Sequence, residues 1–220
     1  MYDNANLMDG KENKGYLVCR HDAMGYADRA IKRFSDFCLA TFGVIILSPL
    51  MLFIFLLLKA QRNGPAIFSQ ERIGKDAIPF TIYKFRTMKG NIEDDKPLLN
   101  PTPDSESSTK FEVFLRNHHL DELPQLWNVI KGDMSIVGPR PERKFFIDKI
   151  MEKDNDYNLI YEMRPGMTSE ATLYNGYTDS MDKMLKRLRI DVHYLENRTL
   201  LLDMKIMWDT AMYIIKRKTY

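Results

Sequence analysis

Only two cysteines, Cys19 and Cys38, occur among the 220 residues. They show no metal-chelating spacing, and Cys38 falls inside an apolar run, so neither a disulfide framework nor a zinc site is indicated. Net charge is nearly absent too. The 32 lysines and arginines against 30 aspartates and glutamates leave +2, far short of the cationic surplus that a nucleic-acid backbone demands. No internal repeat is evident, and no glycine-rich first loop announces a nucleotide fold of repeated strand–helix units. The polar opening, Met1 to about Gly25, lacks the short basic region directly before an apolar core that marks a signal peptide. It reads as a loose extension or a small cap. Composition is otherwise ordinary, 45% hydrophobic and 28% charged, and the length suits one full domain.

The longest absence is of charge itself. Phe37 to Leu58 is a run of 22 residues without one ionisable side chain apart from Cys38, about 33 Å as helix and long enough for a membrane. The alternative is a central helix of a soluble core. Pro49 removes a backbone donor near the middle of the run, and Ser48 is placed to return a hydrogen bond to a freed carbonyl. Both flanks are basic, with Arg29, Lys32 and Arg33 before and Lys59 and Arg62 after. A hairpin that enters and leaves one face keeps both flanks on the cytoplasmic side, whereas a straight span strands one of them.

Beyond Asn63-Gly64-Pro65, the runs AIFSQERIG and FTIYKF read as two short strands forming a hairpin around Gly74-Lys75-Asp76. Residues from about Lys89 to Thr109 are acidic, proline-containing and serine-rich, which is loop chemistry. Phe111 to Ile130 reads as largely helical, with Pro124 starting a new turn. KGDMSIVGPRPER carries two glycines and two prolines and reads as irregular, its Pro139-Arg140-Pro141 holding an arginine between constrained neighbours. Phe145 to Met151 reads as helix. So does Asp182 to Lys218, with a break near Glu196-Asn197-Arg198. Leu200, Met204, Met207, Ala211 and Ile215 form an apolar stripe ahead of Lys216-Arg217-Lys218, suited to a membrane interface or to packing on the same domain.

Chemistry points to Leu120-Asp121-Glu122-Leu123-Pro124. An Asp–Glu pair is often a solvated helix start, but a carboxylate also serves as a nucleophile toward phosphorus. Arg72, Lys84, Arg86, Arg116, Arg140, Arg143 and Arg164 recur beside glycines and prolines, and rigidly held guanidinium groups suit phosphate oxygens. With two carboxylates available for Mg²⁺, the set describes a phosphoryl-transfer site. His118 and His119 lack a third spaced partner and read as rim residues.

IKRFSD, the apolar Ser-Pro segment, PAIFSQERIG, YKFRTM, FLRNHHLDELPQLWNVIKGDMSIVGPRPE and RPGMTS together closely resemble the bacterial sugar transferase family over about Ala30 to Thr210. These are the monotopic phosphoglycosyl transferases that start glycan assembly on undecaprenyl phosphate. The resemblance implies a mixed α/β fold: a single compact catalytic domain with an N-terminal re-entrant, helix-break-helix membrane segment and C-terminal amphipathic helices. The divisions expected are a polar extension over 1–28, the membrane segment over 29–62 and the cytoplasmic transferase domain over 63–220, the small form of the family. Asp121 is implied as the nucleophile and Glu122 as its partner, both toward Mg²⁺. Arg72, Lys84, Arg86, Arg116 and Arg164 are assigned to substrate phosphates, and Pro139, Arg140 and Pro141 to the nucleotide. Lys32, Arg33 and Asp36 mark the membrane interface, and Ser48 and Pro49 the helix break. The implied partners are a UDP-sugar donor, undecaprenyl phosphate, membrane lipid, downstream glycosyltransferases and a second copy in a homodimer, with no nucleic acid. The implied place is the bacterial inner membrane, with the domain facing the cytoplasm.

This chain departs from the family at several points. His119 stands where serine is usual, Glu112 and Ala77 where glycine is frequent, and Met167-Thr168-Ser169-Glu170-Ala171-Thr172 follows Arg164-Pro165-Gly166 in place of Gly-x-Ala-Gln. Three rival readings are a non-catalytic membrane-surface scaffold, a transferase that moves only the sugar, and a nucleic-acid phosphotransferase. The intact Asp121, Glu122 and Arg-Pro pairs argue against the first. The missing strand–helix repetition and the low net charge argue against the others.

Overall fold

The computed structural model describes residues 22–61, 64–87, 109–175 and 180–216. Most of the polar N-terminal extension, most of the acidic loop expected from Lys89 to Thr109, and the basic tail beyond Lys216 lie outside the described residues.

Helix α1 covers Tyr26–Ala60 and takes up the whole charge-free run. It is long and apolar enough to cross a membrane, and 11% of its most apolar window is buried. A core helix would be mostly covered, so the soluble-core alternative fails. Helical backbone continues through Ser48-Pro49, where the sequence suggests a break. Proline's missing N–H leaves the Ile45 carbonyl without its helical donor, and the Ser48 hydroxyl donates to that oxygen at 2.8 Å.

Two stretches of α1 are buried, Lys32, Asp36 and Ala40 before Pro49, and Ile54 and Leu58 after it. Ala40 joins Ile82, Leu126, Val129 and Met134 in one apolar cluster. Ile54 and Leu58 join Ala66, Phe85 and Leu115 in another, each side chain contributing about 2 kcal/mol of burial. The root of α1 is polar and closed. Lys32 Nζ donates to Asp203 Oδ2 at 2.6 Å and faces Asp36 at 3.8 Å. Tyr194 donates to the other Asp203 oxygen, and Asp36 accepts from Ser135 Oγ at 2.6 Å and Ile136 N at 3.2 Å. The side chains of Lys32 and Asp36 therefore lie inside the protein.

Strands β1 (Ile67–Ile73) and β2 (Pro79–Phe85) form the expected antiparallel hairpin, with Ser69 opposite Tyr83. Helix α2 (Lys110–Asn117) begins in a capping box, Thr109 accepting from Glu112 N while Glu112 accepts from Thr109 N. The chain reverses at His118 and His119, makes one 3₁₀ turn over Leu120–Glu122 and enters α3 (Gln125–Lys131) after Pro124.

The segment read as irregular holds a strand, β3 (Ser135–Val137), parallel to β4 (Gly166–Thr168). Three residues are too few for an alternation to register, and the partner lies some 30 residues downstream. A Cβ on Gly138 or Gly166 would collide with the facing backbone, so this close approach requires glycine. Helices α4 (Lys144–Met151), α5 (Tyr157–Ile160), α6 (Glu170–Asn175), α7 (Met181–Asn197) and α8 (Leu200–Lys216) complete the fold, with the α7–α8 break where the sequence indicates. Ile147, Ile150, Met163, Leu188, Leu195 and Ile206 lie at the centre of the main core.

Candidate active site

Strand β2 brings Lys84 to the 3₁₀ turn, and its placement depends on one buried amide. Asn128, fully inside α3, accepts from Tyr83 N at 3.2 Å and donates to the Thr81 carbonyl at 2.7 Å. Its side chain stands in for a neighbouring strand. On the other side, His119 adopts φ +54°, a left-handed conformation uncommon for a non-glycine residue, and so turns the chain between α2 and Leu120–Glu122. Pro124 then opens α3. Hairpin and turn are thus both tied to α3.

The two carboxylates so placed are not equivalent. Glu122 Oε1 accepts from Lys84 Nζ at 2.5 Å and lies 4.0 Å from an Arg140 guanidinium nitrogen. Burial alone would raise its pKa, but Lys84 and Arg140 outweigh burial and hold it at about 2. Asp121 has no ion pair among the described residues. Burial first, then the neighbouring Glu122 charge, push its carboxyl up to about 6 against the weaker pull of Lys84. Divergent pKa values in adjacent acids separate their roles. Glu122 stays a fixed anion bound to cations, while Asp121 is the more basic and less compensated oxygen base, as a nucleophile should be.

The expected phosphate ligands divide between this turn and other tasks. Lys84 and Arg140 are at the turn. Arg116 stands on the last turn of α2 with no ion pair among the described residues. Arg72 donates to the Pro141 carbonyl at 3.2 Å and to Gln70. Arg86 is buried, donating to the carbonyls of Pro65 and of Leu58 in the last turn of α1, and faces Glu112 at 3.8 Å. Arg164 donates to the Gly132 carbonyl at 2.9 Å. Beside it, Arg33 donates to Val129 and Ile130, so both cap the far end of α3. Of the loop expected to meet the nucleotide, Pro139 and Pro141 are buried and Arg140 is exposed.

Sequence reasoning passed over Asn128, Glu142, Arg187 and Asp191. The available signal was a polar residue inside the apolar QLWNVI for Asn128, and an i,i+4 Arg–Asp pair on α7 for the last two, which resembles an ordinary solvated helix face.

No cluster of three or more His, Cys, Asp or Glu able to enclose a metal occurs among the described residues. Mg²⁺ commonly takes only one or two carboxylates and completes its shell with water and phosphate oxygens. Asp121, without an ion pair among the described residues, beside an ionised Glu122 and next to cations suited to phosphate, fits that open arrangement.

Comparison with known proteins places these residues in context. The family model described as bacterial sugar transferase matches residues 27–217. The chain is 38% identical over 186 residues to the UDP-glucose:undecaprenyl-phosphate glucose-1-phosphate transferase of Escherichia coli (strain K12), covering 84% of this chain and 40% of that protein. It is 36% identical over 185 residues to a UDP-N-acetylgalactosamine-undecaprenyl-phosphate N-acetylgalactosaminephosphotransferase of Aeromonas hydrophila, 84% of this chain and 44% of that one. The exopolysaccharide production protein PSS of Rhizobium leguminosarum bv. phaseoli is 33% identical over 195 residues, 86% of this chain and 98% of its own length. The chain thus spans less than half of the first two relatives. With the family model matched from the start of α1 into the C-terminal tail, the chain belongs to the bacterial sugar transferase family.

Proposed function

We propose that this chain transfers a sugar 1-phosphate from a UDP-sugar to undecaprenyl phosphate, giving UMP and an undecaprenyl-diphosphate sugar, in the first membrane step of surface glycan assembly. The names of the relatives support the reaction class. The observation that carries the mechanism is the division between Asp121 and Glu122. Asp121 Oδ attacks the sugar-proximal phosphorus, a P–O bond forms, and the bond to the bridging oxygen breaks with its electrons leaving on UMP. A phosphate oxygen of the acceptor then attacks the same phosphorus and returns Asp121 as carboxylate. Two displacements through a carboxylate avoid direct attack of one phosphate anion on another. Lys84, Arg140 and Arg116 offset the charge of the moving phosphoryl group. Asp121 and Glu122 would hold Mg²⁺, which supplies further charge compensation at the phosphates when bound.

The acceptor's hydrocarbon stays in lipid, so the site must sit at the bilayer. Helix α1 buries residues of both halves against one body, which supports a segment that enters and leaves one membrane face with its turning point at Pro49. Its basic flanks then assign that face to the cytoplasm. Helix α8 adds an exposed outer stripe of Leu201, Met204, Trp208, Ala211 and Ile215 suited to the interface.

The test is intact-protein mass after brief incubation with Mg²⁺ and a panel of UDP-sugars without acceptor, for wild type and Asp121→Asn. An adduct of phosphosugar mass on wild type alone is expected, and the sugar that forms it names the donor. Lipid product made on acceptor addition without any trapped adduct would replace the covalent route with direct transfer.

A further inference from the structure

Arg140 projects toward Glu122 from a loop whose backbone is held at several points. The Pro139 carbonyl accepts from Gly166 N at 2.8 Å, the Pro141 carbonyl from Arg72 at 3.2 Å, and the Glu142 carbonyl from Ile73 N at 3.1 Å. The Glu142 side chain is buried and gripped from two sides. Arg187 of α7 donates to one oxygen at 2.5 Å, and Arg72 of β1 lies 3.7 Å from the other. Four residues further along α7, Asp191 is buried beside Arg187. Beneath the loop is a small cavity where the charged Arg140, Glu142, Arg187 and Asp191 meet core residues such as Met184 and Leu188.

Apolar side chains of similar volume would hold such a loop at least as stably, because charges taken from water repay their desolvation poorly. What an ion pair adds is direction: a guanidinium fork fixes a carboxylate in orientation as well as distance. We propose that Glu142 and Arg187, together with Arg72, are positioning residues that clamp the Pro139–Glu142 loop between β1 and α7, so that Arg140 is held toward Glu122 and the bound nucleotide. This rests on the transferase reading above. It gives Arg72 a task through the loop in place of direct phosphate contact. The strand pairing of β3 with β4 fixes the loop's entry, and the clamp joins the Ile73 N–H bond in fixing its exit.

The test measures UMP affinity by calorimetry on the full chain in nanodiscs, with hydrogen exchange of the peptide spanning residues 138–146. Wild type, Arg187→Met, Arg187→Lys, Glu142→Gln and the double variant Glu142→Gln/Arg187→Met are compared. The clamp requires UMP Kd to rise about tenfold or more in Arg187→Met and Glu142→Gln, with faster exchange in that peptide and substantial recovery in Arg187→Lys. The double variant should be no worse than the weaker-binding single, since both remove one interaction. Unchanged Kd with a lower unfolding midpoint makes the pair merely structural and overturns the clamp, as do additive losses. Should Arg187→Met fail to fold, Glu142→Gln and Arg187→Lys carry the same comparison. Wild type that binds no UMP sinks the transferase reading and the clamp together, whereas wild type that binds UMP as tightly as every variant sinks the clamp alone.

Discussion

Two charge clusters, one buried at the root of α1 and one partly buried at the 3₁₀ turn, are built alike and finished differently. At the root of α1, Lys32 is paired with Asp203 and faces Asp36, and both acids accept further bonds from Tyr194, Ser135 and a backbone N–H. At the 3₁₀ turn, Lys84 pairs with Glu122 and Arg140 lies near it, and Asp121 has no ion pair among the described residues. A closed cluster holds an element in place. An open one keeps a partly buried carboxylate short of compensation, which is unfavourable for folding and useful for chemistry. The incomplete pairing is what sets the proposed working site apart from the structural one.

Removing the leftover group tests this contrast most severely. Asp121→Asn should lower transfer by about a thousandfold or more and at the same time raise the unfolding midpoint at pH 7.5. Because folding raises the Asp121 pKa to about 6, its ionised form destabilises the fold. That penalty is full above pH 6 and disappears as pH falls below the ordinary carboxylate range, so a neutral amide relieves on the order of 1–3 kcal/mol. A variant both inactive and less stable would break the comparison.

The opposite outcome is expected at the closed cluster. Lys32→Met strands two buried acids and should cost about 3 kcal/mol or more, read as a fall in denaturation midpoint, while transfer per folded molecule stays within about twofold. A selective loss of turnover would mean that the α1 root takes part in the reaction.

Lys84→Met opens the working site further. It should reduce transfer by about 10- to 100-fold and move the acid limb of the pH–rate profile upward, since Lys84 lowers the pKa of both carboxylates. In wild type that limb should have its midpoint near pH 6, the value of Asp121, with activity falling tenfold per unit below it as the nucleophile is protonated. A limb near pH 4 would remove Asp121 from that role.

The smallest effect belongs to the cap of α3. Gly132 has φ +96° and lies against the Arg33 guanidinium, so Gly132→Ala should cost about 1 kcal/mol in stability without shifting the pH profile.

Much of this was legible in residues alone, and the exceptions have a common cause. The charge-free run gave α1 and the turn residues gave the β1–β2 hairpin. The Ser48 hydroxyl makes the bond that its position beside Pro49 suggested. Asp121, Glu122 and the Pro-Arg-Pro loop stood out by type and spacing. The three-residue β3 and the inward turn of Lys32 did not, because neither leaves a local pattern.

Sequence by itself therefore determined all but the two shortest helices, the hairpin and the family, each written in a period or motif. Tertiary structure alone decided the work of each charge: that Lys84 meets Glu122 across 38 positions, and Lys32 meets Asp203 across 171. Ion pairing and desolvation depend on distance in space and on the surrounding dielectric, and neither is a property of neighbours along the chain.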